Sequence, residues 1–231
     1  MNYIDKLLEH EVYPNEIIKL FYMCPVSAET FEQYSKEQLS EAIKKLIDIL
    51  KGTTIENIVN IIEANRDKIA EITPANIPQF SNIEAINDVL DYVNSTDDVT
   101  YELIGYYINK DAKKGAQTKY GENHYKTAAS IGLTTVNKPF MVTALGKEYM
   151  ILPTEDKRAI RNKLFLLVPI VQKIIIDAKY KEVQPMNILK KYLSESTSIR
   201  RRSNVRTMVE YVYKDADIEF VIEVQNNLDW K

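Results

Sequence analysis

The sequence predicts a mainly α protein, with a helical N-terminal domain over residues 1–96 and a C-terminal half, 97–231, built as a winged helix-turn-helix region with a small β-wing. Three observations lead to this reading. Apolar residues recur at helical spacing through the first domain. The stretch Gln117 to Leu152 orders a short amphipathic helix ending at Ile131-Gly132-Leu133, a ribbon of alternating side chains, and a new helix near Ala144. Charge is polarised: residues 1–100 hold 8 Lys and Arg against 18 Asp and Glu (net −10), whereas residues 101–231 hold 22 against 15 (net +7).

The N-terminal elements are set by periodicity and breakers. Tyr3 to His10 and Asn15 to Met23 read as short amphipathic helices separated by Pro14. Ser27 or Thr30 offers a cap for the next helical segment. From Ser35 to Leu50, residues Leu39, Ile43, Leu46, Ile47 and Leu50 trace one helix face, and Gly52 ends it. Thr54 starts a helix with Ile58, Ile61, Ile62 and Ile69 on its buried side. Pro74 and Pro78 make a loop, Ile83 to Tyr92 is a further helix, and the polar run Asn94-Ser95-Thr96-Asp97-Asp98 marks the domain boundary.

Beyond the boundary, Tyr101 to Asn109 reads as a helix and Lys110 to Gly115 as a basic loop. Tyr125, Ala128, Ala129 and Gly132 give the segment from Gly121 to Ser130 a narrow apolar stripe of small residues, suited to close helix packing. Its opposite face would present Asn123, Lys126, Thr127 and Ser130, with Lys119 beside them. Thr134 to Thr143 alternates around Asn137-Lys138-Pro139, which predicts a β-hairpin with Lys138 at its tip. Thr154 opens a long helix whose apolar face runs from Ile160 to Ile175, with Pro169 expected to kink it. Pro185 opens a second helix-turn-helix-like module over about 185–215. It comprises a short helix from Asn187 to Leu193, a turn from Ser194 to Thr197, and a helix from Ile199 to Lys214. A strand from Ile218 to Val224 closes the chain.

Composition excludes several classes. Six Gly and neither GxGxxG nor GxxxxGK[ST] argue against phosphate-loop nucleotide folds. A single Cys24 allows no internal disulfide and makes a reducing, cytoplasmic setting the expectation. The acidic start lacks the pattern of a signal peptide, and the run from Leu164 to Ile176, interrupted by Pro169, Gln172 and Lys173, is too short to span a bilayer.

Each motif that could be catalytic has a structural explanation. Glu155-Asp156-Lys157 contains the Glu-x-Lys of a Mg²⁺-dependent nuclease, but sits in a helix start where acids suit the dipole. Asp217 and Glu223 would share one short segment, and Glu122-Asn123-His124 has no further His beyond His10 to complete a metal finger. His124 is expected on an exposed helix face, and Cys24 as a buried small hydrophobe. No catalytic residue, metal or cofactor is predicted. The densest positive cluster is Arg200-Arg201-Arg202 with Arg206, suited to phosphate contact and, alternatively, to pairing with the acidic half.

The order of Y-K-T-A-A-S-I-G-L, V-T-A-L-G-K-E-Y, an acidic-start helix ending LLVPIVQKII, and S-T-S-I-R-R-R-S-N-V-R-T-M-V-E-Y-V resembles winged-helix modules of bacterial and phage DNA-processing proteins, such as those attached to restriction endonucleases and ATPase-associated proteins. The resemblance covers about residues 98–215 and implies a module that reads duplex DNA while a separate domain does any cutting. With that module, the outward residues Lys119, Asn123, Lys126, Thr127 and Ser130, the hairpin tip Lys138 and the cluster Arg200, Arg201, Arg202 and Arg206 are the expected contacts to double-stranded DNA, and the apolar helix 155–177 and the acidic domain offer surface for a homodimer or larger complex. The alternative from another class is a protein-interaction or assembly subunit, including an inhibitor that mimics DNA with its acidic half, and a less favoured third reading is a Mg²⁺-dependent, type II restriction-like endonuclease.

Overall fold

A computed structural model describes residues 2–9, 11–23, 31–68, 70–80 and 82–231. The expectations for His10, Cys24, Ser27, Thr30 and Ile69 lie outside the described residues. Among the described residues the chain forms thirteen α-helices, two 3-10 turns and no strand beyond isolated bridges. It divides into two compact units, 1–77 with 154–231, and 78–153. The expected boundary at 96/97 falls inside the second unit.

The first unit begins with α1 (Tyr3–Leu8), opened by a capping box in which Asn2 and Asp5 satisfy each other's backbone N–H. α2 (Pro14–Met23) comes next, then α3 (Lys36–Gly52) with a second capping box between Ser35 and Gln38, and α4 (Ile55–Glu63) capped by Thr54. Most of the predicted stripes are buried, namely Ile43, Leu46, Ile47 and Leu50 on α3 and Ile58 and Ile62 on α4, while Leu39 and Ile61 are only half-buried. After the second unit the chain returns as α9 (Thr154–Leu164), α10 (Pro169–Ala178), α11 (Pro185–Leu189), α12 (Glu195–Lys214) and α13 (Ile218–Asn226). Lys163 on α9 is buried with its Nζ 2.5 Å from the Leu50 carbonyl oxygen and 3.3 Å from that of Lys51, so it caps the negative end of α3. The Tyr22 hydroxyl donates to the Lys163 carbonyl at 2.8 Å, joining α2 to the same point.

Three expectations change here. Pro169 does not kink a continuous helix. A 3-10 turn (Phe165–Leu167) ends the first segment, and Pro169 stands in the first turn of α10, where its missing N–H has no helical partner to lose. α12 starts four residues earlier than predicted, because the Ser194 hydroxyl accepts from the Thr197 N–H and turns the expected loop into a first helical turn. The final segment is helix α13 rather than a strand: Phe220 and Val224, four apart, are its buried residues. Its apolar alternation fits both periods, and burial obeys the helical one.

The second unit is α5 (Ala85–Ser95), α6 (Tyr101–Ile108), α7 (Lys114–Ser130) and α8 (Ala144–Met150). α7 extends further toward its N-terminus than expected, absorbing the end of the predicted basic loop. α6 and α7 touch at backbone distance. A Cβ on Gly121 would lie 2.0 Å from the Tyr101 carbonyl oxygen, and one on Gly105 would lie 1.8 Å from that of Gln117. Gly132, at φ 79°, turns the chain out of α7. The loop from residue 131 to 143 folds back as a hairpin-like excursion with one antiparallel bridge, Thr134 to Val142, so the predicted ribbon is a single pairing rather than two strands. Thr143 then caps α8 and also donates to the Gly132 carbonyl at 2.6 Å. No helix among the described residues is long and apolar enough to cross a membrane.

Candidate nucleic-acid interface

On α7, Lys119 and Lys126 converge on one carboxylate. Lys119 and Lys126, three residues before and four after Glu122, reach its two oxygens at 2.8 and 2.6 Å. Hydrogen bonds from Lys119 and Lys126 hold the Glu122 carboxyl below the usual carboxylate range. Both lysine side chains are more than half exposed, at 63% and 57%. Surface pairs whose cations are this exposed contribute about 0.2–1 kcal/mol each. Sequence reasoning weighed Glu122 only as part of a metal finger and missed this pairing, although its spacing to both lysines is the signal that reveals it.

The predicted reading face is only partly outward. Asn123 and Ser130 are half-buried, and the Ser130 hydroxyl donates to the Thr127 carbonyl at 2.7 Å. Thr127 is buried, with its hydroxyl 2.8 Å from the Asn123 carbonyl oxygen and 3.3 Å from that of Gln79, which corrects the expectation that it faces outward. His124 is buried as well, not exposed. Its Nδ1 lies 2.8 Å from the Tyr120 carbonyl oxygen, and its Nε2 accepts from the Asn82 N–H at 3.5 Å. That pair of partners fits the neutral Nδ1–H tautomer, and burial pushes the imidazole below its ordinary value.

The loop after α7 has a fixed base and an exposed tip. The Thr135 hydroxyl donates to the Pro139 carbonyl at 2.8 Å and accepts from the Met141 N–H at 3.1 Å. Its only hydrogen is thereby used, so the Tyr125 hydroxyl, 2.9 Å away, donates to it. Phe140 stacks on Tyr101 with ring centroids 4.7 Å apart and packs against Tyr125 at 4.5 Å. Residues 136–139 are exposed, and the Lys138 Nζ sits 5.7 Å from the Phe140 ring centroid. An open groove of about 470 Å³ runs beside this loop, and its lining includes Asp97, Asp98, Lys138, Phe140 and Lys147.

The α12 arginines are differently disposed. Arg201 donates to the Pro74 and Ile77 carbonyls at 2.7 and 2.8 Å, and Arg202 to the Trp230 carbonyl at 3.2 Å. Both therefore hold backbone of their own unit. Arg206 pairs with Glu210 at 2.7 Å, and Lys214 joins the same carboxylate at 3.1 Å. Arg200 is exposed and reaches the Thr197 hydroxyl at 3.2 Å. Of the Glu-x-Lys motif, Glu155 pairs with Arg158 and Asp156 with Lys51, both on the surface of the first turn of α9. No group of three or more His, Cys, Asp or Glu able to hold a metal ion occurs among the described residues. Compared with known protein families, curated proteins and solved structures, the chain matches none of them.

Proposed function

We propose that this chain is a sequence-specific double-stranded DNA-binding protein, acting as the recognition component of a restriction or defence system or as a transcriptional regulator, with α7 and the 131–143 loop as the contact surface. One observation carries the reading. In a single unit, the exposed cations Lys119 and Lys126 on α7 and Lys138 on the loop tip project from a backbone anchored by Gly105, Gly121 and Thr135. Anchored cations on a helix and an adjoining loop suit phosphate contact, and the half-exposed Asn123 is the side chain suited to reading a base edge. Arg200 and Arg206 are the exposed arginines of α12 and form a separate basic stretch in the other unit.

A second reading, an assembly subunit that docks protein, is favoured by the outer face of α6. There Leu103, Tyr106 and Tyr107 are 42%, 52% and 46% exposed. Selection of bound duplexes from a random-sequence pool separates the two. The DNA reading expects an enriched motif that shifts when Asn123 becomes Ala. A pool that emerges unenriched overturns it and leaves the assembly subunit standing.

A further inference from the structure

We infer that Phe140 is a positioning residue for DNA contact, setting where Lys138 stands; this rests on the proposed function and deepens it. A loop held by one bridge pair lacks the ladder that fixes a two-stranded wing, so something else must fix its tip. Two devices do so at its base. The Thr135 hydroxyl ties Pro139 and Met141 together from inside the loop and is itself held by Tyr125 of α7. Phe140 then lies against Tyr101 of α6 and Tyr125 of α7, so its ring keys the loop to both helices at once. The same ring faces the Lys138 ammonium. One side chain thus determines both the height of the loop tip and the direction of its cation. An immobilised ammonium approaches a phosphate with less ordering to do on binding, and that is where the affinity gain arises.

The test is a double-mutant cycle on the intact chain, with affinity for a fluorescently labelled duplex of the selected sequence measured across a salt series. Lys138→Gln should weaken binding and make the salt slope shallower by about 0.9, one phosphate contact. Phe140→Leu keeps an apolar plug at the loop base but removes the ring, and should reproduce most of that loss. The double variant should then be little weaker than either single one, because the two changes remove the same contact. Phe140→Tyr, which keeps the ring, should bind like the wild type. Multiplying effects in the double variant, or wild-type affinity and slope in Phe140→Leu, overturn the inference while leaving DNA binding intact. Absence of duplex binding by the wild-type chain overturns the functional reading itself, and the role of Phe140 with it.

Discussion

Two basic helices of this molecule use their charge in opposite ways. α12 holds the densest run of positive residues in the sequence, yet Arg201 and Arg202 are directed at backbone carbonyls of Pro74, Ile77 and Trp230. α7 is sparser, and its Lys119 and Lys126 share the half-buried carboxylate of Glu122. A guanidinium with several donors in a planar fork is suited to bracing irregular backbone, because it satisfies carbonyls that no helix or sheet provides for. A lysine on a long stem, loosely paired at the surface, stays exchangeable. Charge density along a chain is therefore a poor guide to which cations can meet a ligand; the partners already made decide it.

Substitutions of graded severity sharpen that contrast. The largest effect is expected at Gly121→Ala, whose Cβ would meet the Tyr101 carbonyl oxygen and the Gly105 nitrogen at 2.0 and 2.6 Å. Neither atom can move without shifting α6, so the cost should reach or pass the top of the roughly 1–3 kcal/mol range for overpacking. Amide hydrogen exchange should show lost protection over 78–153 while the first unit keeps its own. The sole tryptophan, Trp230, belongs to the first unit, and its fluorescence would miss the change.

Arg201→Ala comes next. It removes two hydrogen bonds from a charged donor and should destabilise the first unit by about 1–3 kcal/mol in a denaturant titration monitored at Trp230. The slope of DNA affinity against salt should be unchanged. Arg200→Ala, whose side chain is exposed, should alter stability by less than about 0.5 kcal/mol. Equal destabilisation by the two variants would contradict the division of labour assigned to α12.

His124 gives the second unit a pH dependence. Its imidazole titrates lower in the folded chain than in the unfolded one, because it is buried. Between the folded value and about 6.5 the unfolded chain binds more protons, so stability is full above that window and is lost as pH falls through it. His124→Gln should flatten this part of the stability profile of the second unit, checked by thermal unfolding at a series of pH values. The smallest structural effect is expected for Glu122→Gln, which removes the charge that Lys119 and Lys126 share. Stability should shift by no more than about 0.5 kcal/mol, while duplex affinity rises.

Much of the helical fold is legible in the pattern of residues. Leu46, Leu50, Ile58 and Ile62 mark buried stripes by spacing alone, and Ser35, Thr54 and Thr143 behave as caps. Elements defined by long-range packing are not. Ile218 to Val224 satisfies two periodicities, and only the burial of Phe220 and Val224 within the first unit selects the helix. The association of 1–77 with 154–231 depends on contacts such as Lys163 with the end of α3, which no local signal announces. At the candidate site, Lys119, Lys126 and Lys138 are expected from the sequence and stand exposed in the structure. Thr127 is expected outward, but its hydroxyl is bound within the fold because the loop at Gln79 passes over it. Phe140 and Thr135 give no signal, since their role arises only when the loop folds back onto α6 and α7.

The central claim is that exposed lysines of α7 and the loop tip, rather than the arginine run of α12, meet duplex DNA. The most direct measurement compares the salt dependence of duplex affinity for the wild-type chain and for a variant carrying Lys119→Gln, Lys126→Gln and Lys138→Gln together. Phosphate contact by these lysines predicts a steep negative slope for the wild type and, in the variant, a slope shallower by about 2.7, three phosphates at about 0.9 each. An unchanged slope in the triple variant, or a wild-type chain that fails to bind duplex even at low salt, would contradict it.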